Sequence, residues 1–569
     1  AETLGDRSVA IGNFALQVQN NTSNNDIYNT AVGYAAGATI ATGALNTLIG
    51  GLAGDALTTG ANNVALGTQA LSSETGGGKN VAIGYGSLEL LNFNDDGNNV
   101  AVGYIAGQLM STGTQNTIIG SQAGDALTTG TRNVAIGFGA LSAEDAHGRN
   151  IAIGAGALNV QNAGADAYNV AIGDSAGGAI LTGIQNTLIG GLAGDALTSG
   201  SDNVAIGLNA LSTEDTGGQN VAVGAQALQN LDAGANGLNV AVGFQAGTAM
   251  TTGTNNTIVG GLAGDALTEG NNNTVMGYGA LSNETLGDRS VAIGNNALYL
   301  QNNTSNTDVY NTAVGYNAGA AVTTGTGNTL VGGLAGDALT TGISNVAMGY
   351  AALGADVAGT DNIAIGYHAM VNTDNARANV AIGYSALSAL DYGSLTYSHN
   401  IGIGFNTGKL ITTGINNTLI GGLAGDALTT GGANTALGKG ALSTEDTGNY
   451  NTAIGYHALH ALDNTTGHNT VVGFDSGKAM TGGYYNVLVG SETGEALTSG
   501  HQNVAIGKDA LKTEDTGSGN IAIGTSALAN QNYDGSAFNI AIGHAAGTVV
   551  STGIQNTIIG SLAGDALTT

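Results

Sequence analysis

Seven aspartates, Asp55, Asp125, Asp195, Asp265, Asp337, Asp426 and Asp565, sit in the same Ala-Gly-Asp-Ala-Leu setting. The stretch Gly50 to Leu57 has the form of a calcium-binding nonapeptide, Gly-Gly-x-Gly-x-Asp-x-Leu-x, with Ala53 standing where that motif has a glycine. A carboxylate and glycines in such a turn suit a hard cation held by oxygen ligands. Motifs of that kind bind calcium between consecutive nine-residue turns. Here Asp55, Asp125, Asp195 and Asp265 are far too widely separated in the chain to share such turns. Calcium is thus the one cofactor these residues suggest, and a turn aspartate hydrogen-bonded to its own backbone is the plainer role.

Other side chains with chemical capacity also recur. Glu144-Asp145, Glu214-Asp215, Glu445-Asp446 and Glu514-Asp515 are carboxylate pairs, the type that serves as acid and base or holds a cation. Their recurrence in equivalent turns reads as a solvated acidic ridge, and no catalytic residue is expected. Tyr350, Tyr367, Tyr384 and Phe405 fall at one position of successive repeats. They are candidates for stacking a glycan, or for a ladder of rings that stabilises the surface. The histidines, His368, His457 and His544 among them, lack metal-ligand spacing. Sequons at Asn20-Asn21-Thr22, Asn302-Asn303-Thr304 and Asn464-Thr465-Thr466 are candidate glycosylation sites in protruding loops.

What positions these residues is a five-residue unit: Asn, a β-branched residue or Thr, a small or aliphatic residue, Ile/Val/Leu/Met, then Gly. It occurs 32 times between Ser8 and Asn556. Copies follow one another at seventeen-residue intervals, with one interval of nineteen or twenty-one in each set of four, so that every fourth copy begins the same kind of block. The superperiod is about 70 residues, the mark of a repeat architecture. An extra pair at Asn362 and Asn379 disturbs the count once, and residues 2–60 match 284–342 at an offset of 282. Seventeen residues are too few for two helices, and β-branched runs closed by Gly, Asn and Thr read as strand and turn. The expected fold is therefore all-β: a parallel β-solenoid of about 32 coils, one continuous array over 1–569. With coils about 4.8 Å apart it would extend roughly 150 Å. Stacking places asparagine over asparagine, as at Asn46, Asn116, Asn186 and Asn417, where amides can bond along the column. It places glycine over glycine, as at Gly50, Gly120, Gly190 and Gly421, where the backbone turns with positive φ or has no room for a Cβ.

Composition excludes several functions. Eleven Lys and Arg against 40 Asp and Glu leave a net charge of −29, which repels a phosphate backbone, so nucleic acid is not an expected partner. There is no cysteine for a disulfide or thiolate metal site. No apolar run is long enough for a membrane span, which needs roughly 18 residues or more. Both ends cut into repeats, since Glu2 to Gly12 reappears as Glu284 to Gly294. A segment of a longer polypeptide is expected.

The runs Ser8-Val9-Ala10-Ile11-Gly12 and Ser290-Val291-Ala292-Ile293-Gly294, with the many Asn-Val-Ala-Ile-Gly copies, resemble the head repeats of trimeric autotransporter adhesins and repeats of phage tail fibres. The resemblance covers the whole chain through five residues per coil. It implies a β-roll that self-associates, as a homotrimer in the adhesins, on a cell surface or a secreted filament. The small residues at position 3, with Leu48, Ile118 and Leu188 among the alanines, suggest a face that packs against a neighbouring chain. The expected function is non-enzymatic: the shaft of an extracellular fibre that associates laterally or end to end, with a host glycan or receptor as a further partner. A phage-fibre shaft and a calcium-stabilised or glycan-binding repeat protein are the alternatives.

Overall fold

A computed structural model of the chain describes residues 7–20 and 26–569. The opening residues of the duplicated segment, and Asn21-Thr22 of the first sequon, lie outside the described residues. Every described element is a β-strand, so no helix is long and apolar enough to cross a membrane. Internal contacts divide the chain into two units, Ala1–Asp288 with Thr304–Asn306 and Arg289–Asn303 with Thr307–Thr569. Each is a parallel β-solenoid. The first carries sixteen one-per-coil strands, from Val9–Ile11 to Thr274–Met276. The second carries sixteen, from Val291–Ile293 to Thr557–Ile559, and a small side pair of Asp374–Arg377 with Asp391–Tyr397. That side pair occupies the region where the extra repeats disturb the superperiod.

Within each unit successive strands pair parallel with no slip, as in Thr187↔Val204, Leu188↔Ala205 and Ile189↔Ile206. Loops absorb every change of interval, including the single step of eighteen between Asn451 and Asn469. The strands stop after three residues because position 5 turns the chain: Gly190 has φ +139 and Gly207 has φ +134.

Position 3 points into the coil, not outward toward a neighbouring chain as its small residues suggest. Ala171, Leu188, Ala205 and Ala222 are all completely buried, while positions 2 and 4 face out. A three-residue strand directs one side chain one way and two the other. The lumen of so short a coil is narrow enough that one small or aliphatic residue fills its side.

Core volume explains the four-coil superperiod. In the coils beginning at Asn150, Asn203 and Asn220 an alanine at position 3 is balanced by a leucine at position 9: Leu158, Leu211 and Leu228, all buried. These leucines adopt left-handed backbone, φ +47 to +52, a strain of about 1–2 kcal/mol offset by about 1.5–3 kcal/mol of burial. In the coils at Asn169 and Asn186 position 9 is Gly177 or Gly194, and position 12 supplies Ile180 or Leu197. A Cβ on Gly194 would lie 2.8 Å from both Leu188 Cδ2 and Leu197 Cδ1. Bulk moves around the lumen from coil to coil, and a block of four returns to its starting arrangement.

Candidate functional site

The side chains with chemical capacity fall in four columns along each unit. The asparagine column is buried. Asn46, Asn116 and Asn417 each donate their backbone N–H to Oδ1 of the preceding asparagine, at 2.9, 3.0 and 2.9 Å. Their Nδ2 groups reach the carbonyls of Gly60, Gly130 and Gly431, where the coil closes, at 2.9 Å each. Each amide thus ties its own coil to the ones before and after it. The glycine column beside it leaves no space: a Cβ on Gly50, Gly120 or Gly421 would lie 2.3, 2.3 or 2.5 Å from the next glycine's carbonyl oxygen. In several coils, headed by serine or by asparagine, a glutamine from the long loop joins the column. Gln301 Nε2 donates to Ser290 Oγ at 2.9 Å, and its Oε1 accepts from Asn311 Nδ2 at 2.9 Å. Gln161 and Gln531 accept from the equivalent amides of Asn169 and Asn539. The sequence signal was available, a glutamine eleven positions after the column residue, but no local pattern shows where it points.

The aromatic column forms. Tyr350, Tyr367, Tyr384 and Phe405 stack with centroids 5.5, 5.2 and 5.4 Å apart and interplanar angles of 17°, 7° and 21°. The spacing follows the inter-coil distance, so the rings cover one another's faces and offer their edges to solvent. A sugar stacks on a ring face, and the interior rungs have none free. His368 lies against Tyr367 at 4.0 Å, and His468 stacks between Tyr450 and Tyr485 at 4.8 and 5.1 Å. These histidines extend the ladders. The guanidiniums of Arg149, Arg289 and Arg377 lie over Tyr168, Tyr310 and Tyr397 of the following coil, 5.1 to 5.6 Å from the ring centres. Such a contact contributes about 0.5–1 kcal/mol at an exposed site.

The aspartates of the Ala-Gly-Asp-Ala-Leu corners stay apart. Asp55, Asp125, Asp195, Asp265 and Asp426 each bury one carboxylate oxygen, Oδ1, without a hydrogen-bond partner. Burial raises the carboxyl of Asp55, Asp125, Asp195, Asp337 and Asp426 above the usual range. Asp565 is exposed. Calcium takes about 6–8 oxygens, several from carboxylates, and none of these aspartates belongs to a cluster of ligating side chains among the described residues.

The turn carboxylates differ from an acidic ridge. Glu74, Glu214, Glu445 and Glu514 are fully buried, because each caps its own turn and reaches the next coil. Glu214 Oε1 accepts from Gly217 N at 2.6 Å, and its Oε2 from Ala233 N at 3.1 Å. The second member of each pair is more open: Asp145 and Asp446 are exposed, and Asp215 and Asp515 are half-buried. Desolvation nevertheless raises the pKa of these glutamates, against the lowering effect of the backbone N–H groups. Asp356 holds the same place, and burial pushes its carboxyl up to about 6. A folded-state pKa above the unfolded value favours folding in acid. That contribution is complete below about pH 4 and is lost as pH rises through 6, an effect of about 3 kcal/mol. Asp356→Asn is therefore expected to match the parent chain's stability at pH 4 and exceed it at pH 7. Native-state hydrogen exchange around this turn in both chains at the two values checks this; equal local stability at pH 7 would refute it.

The sequons diverge. Asn302 is exposed, whereas Asn464 is committed to structure: its Nδ2 donates to Gly483 O at 2.8 Å and its Oδ1 accepts from Gly467 N at 2.7 Å. No family model matches the chain, and no curated protein matches it.

Proposed function

We propose that the chain is a non-enzymatic structural shaft of an extracellular surface fibre, assembled by lateral association of copies. The observation that carries this reading is the face made by positions 2, 4 and 6. Position 2 is Val, Ile or Thr, position 4 Ile, Val, Leu or Met, and position 6 is often Tyr or Phe. Leu66 and Ile119 are 42% and 38% exposed, and Tyr104, Phe138, Phe244, Tyr278 and Tyr316 stand out beside the same strands. A sheet face of this kind favours burial against another sheet. Since the face is the same in coil after coil, its natural partner is another copy, in register, as the resemblance to trimeric adhesins and tail fibres implies. Repetition supports a mechanical role: the asparagine and backbone hydrogen bonds that join one coil to the next recur along each unit.

Sedimentation of the purified chain tests the reading. The parent chain is expected to be oligomeric, and the double variant Leu66→Glu/Ile119→Glu to dissociate into monomers with an unchanged far-UV spectrum. A parent chain that stays monomeric at all concentrations would overturn lateral assembly.

A further inference from the structure

Seven turns occupy the same place in the four-coil block, and one of them breaks the rule the others obey. Three positions after the buried carboxylates of Glu74, Glu214, Glu284, Asp356, Glu445 and Glu514 stand Gly77, Gly217, Gly287, Gly359, Gly448 and Gly517. The glycine is needed because a Cβ there meets the capping carboxylate, at 2.5 Å from Glu214 Oε1 in the case of Gly217. After Glu144 the residue is His147.

The consequence for Glu144 is electrostatic. In the turns of Glu74, Glu214, Glu445 and Glu514 one oxygen accepts from the glycine N–H and the other from a backbone N–H nineteen positions on, as with Phe93 at 3.1 Å and Tyr533 at 3.4 Å. Glu144 keeps the first bond, from His147 N at 3.0 Å. Its Oε2 has no hydrogen-bond partner, although the residue is fully buried. Leaving a buried charged oxygen unpartnered is costly. His147 Nδ1, on a ring only 26% exposed, lies 3.3 Å from Glu144 Oε1 and also lacks a hydrogen-bond partner. Asp145 completes the group, with one ligand atom from each of the three residues within 4.8 Å of the others. The nearby cation Arg149 is committed to Asp166 and Tyr168, so it does not neutralise the cluster.

We propose that Glu144, Asp145 and His147 bind a divalent transition-metal ion of the zinc type. One imidazole nitrogen and two carboxylate oxygens, with water at the open side, form a donor set that zinc accepts. Calcium, which takes oxygen ligands, is disfavoured by the imidazole. The ion joins the Glu144 carboxylate to the unpartnered His147 Nδ1 and pins the turn without its glycine. The groups Glu214-Asp215-Asp232 and Glu445-Asp446-Asp463 serve as internal controls, since they have no imidazole and their glutamates are satisfied by backbone.

Calorimetric titration of the chelator-stripped full chain with zinc chloride tests the proposal, with cobalt(II) absorption reporting the ligand field. One zinc per chain is expected, with a tetrahedral cobalt spectrum. In His147→Gly, which restores the residue of the other six turns and so retains the fold, zinc affinity should fall by roughly tenfold or more. Absence of saturable zinc binding would leave an ordinary histidine–glutamate pair and overturn the proposal. Binding unchanged in His147→Gly, or equal binding of calcium, would do the same.

Discussion

Gly190→Ala is expected to destabilise the middle of the first unit by about 4–6 kcal/mol, among the largest effects available to one methyl group in this chain. Two causes act together. Gly190 has φ +139, a region open essentially to glycine alone. A Cβ there would also lie 2.5 Å from Gly207 O and 2.6 Å from Gly207 C. The obstacle is backbone, so no rotamer change relieves it. Strands Thr187–Ile189 and Val204–Ile206 must separate, with loss of the bonds on either side of the glycine, such as Gly207 N to Ile189 O at 2.7 Å. Gly164 is the control: its φ is +72, but a Cβ there meets nothing within 4 Å, and Gly164→Ala should cost about 1 kcal/mol. Native-state hydrogen exchange is the suitable measurement, because a stack of coils opens locally and lacks a single unfolding free energy. A loss below about 1 kcal/mol at Gly190 would show that the column tolerates a side chain.

Asn186→Ala is expected to cost about 3–5 kcal/mol in the same coils. Asn186 is fully buried and joins its coil to both neighbours. Its N–H donates to Asn169 Oδ1 at 2.8 Å, its Oδ1 accepts from Asn203 N at 3.0 Å, and its Nδ2 donates to Gly200 O at 2.9 Å. Truncation leaves Asn203 N–H and Gly200 C=O buried without those partners, at about 1–3 kcal/mol each. It also opens a void in a close-packed column. Hydrogen exchange should localise the loss to the coils between Asn169 and Asn203. Protection unchanged at Asn203 N–H would refute the role assigned to the amide.

Interval alone determined the coil path. A five-residue unit that returns at short intervals, seventeen residues in most cases, stacks, and stacking made the asparagine and glycine columns and the ring ladder of Tyr350, Tyr367 and Tyr384 readable, because each depends only on a residue meeting its counterpart one coil away. Tertiary structure decided direction. Positions 2, 3 and 4 are all apolar or nearly so, and a three-residue strand with apolar residues on both faces carries no alternation to say which face is inside; the width of the lumen settled it for position 3. The turn glutamates show the same limit. Charge and a turn setting suggested solvent, yet Glu214 is buried because Ala233 N–H, nineteen positions further on, comes within reach only when the next coil is laid down. His147 stood in plain view as a departure from glycine, but what it does to Glu144 is a distance in space, set by the fold rather than by the order of residues.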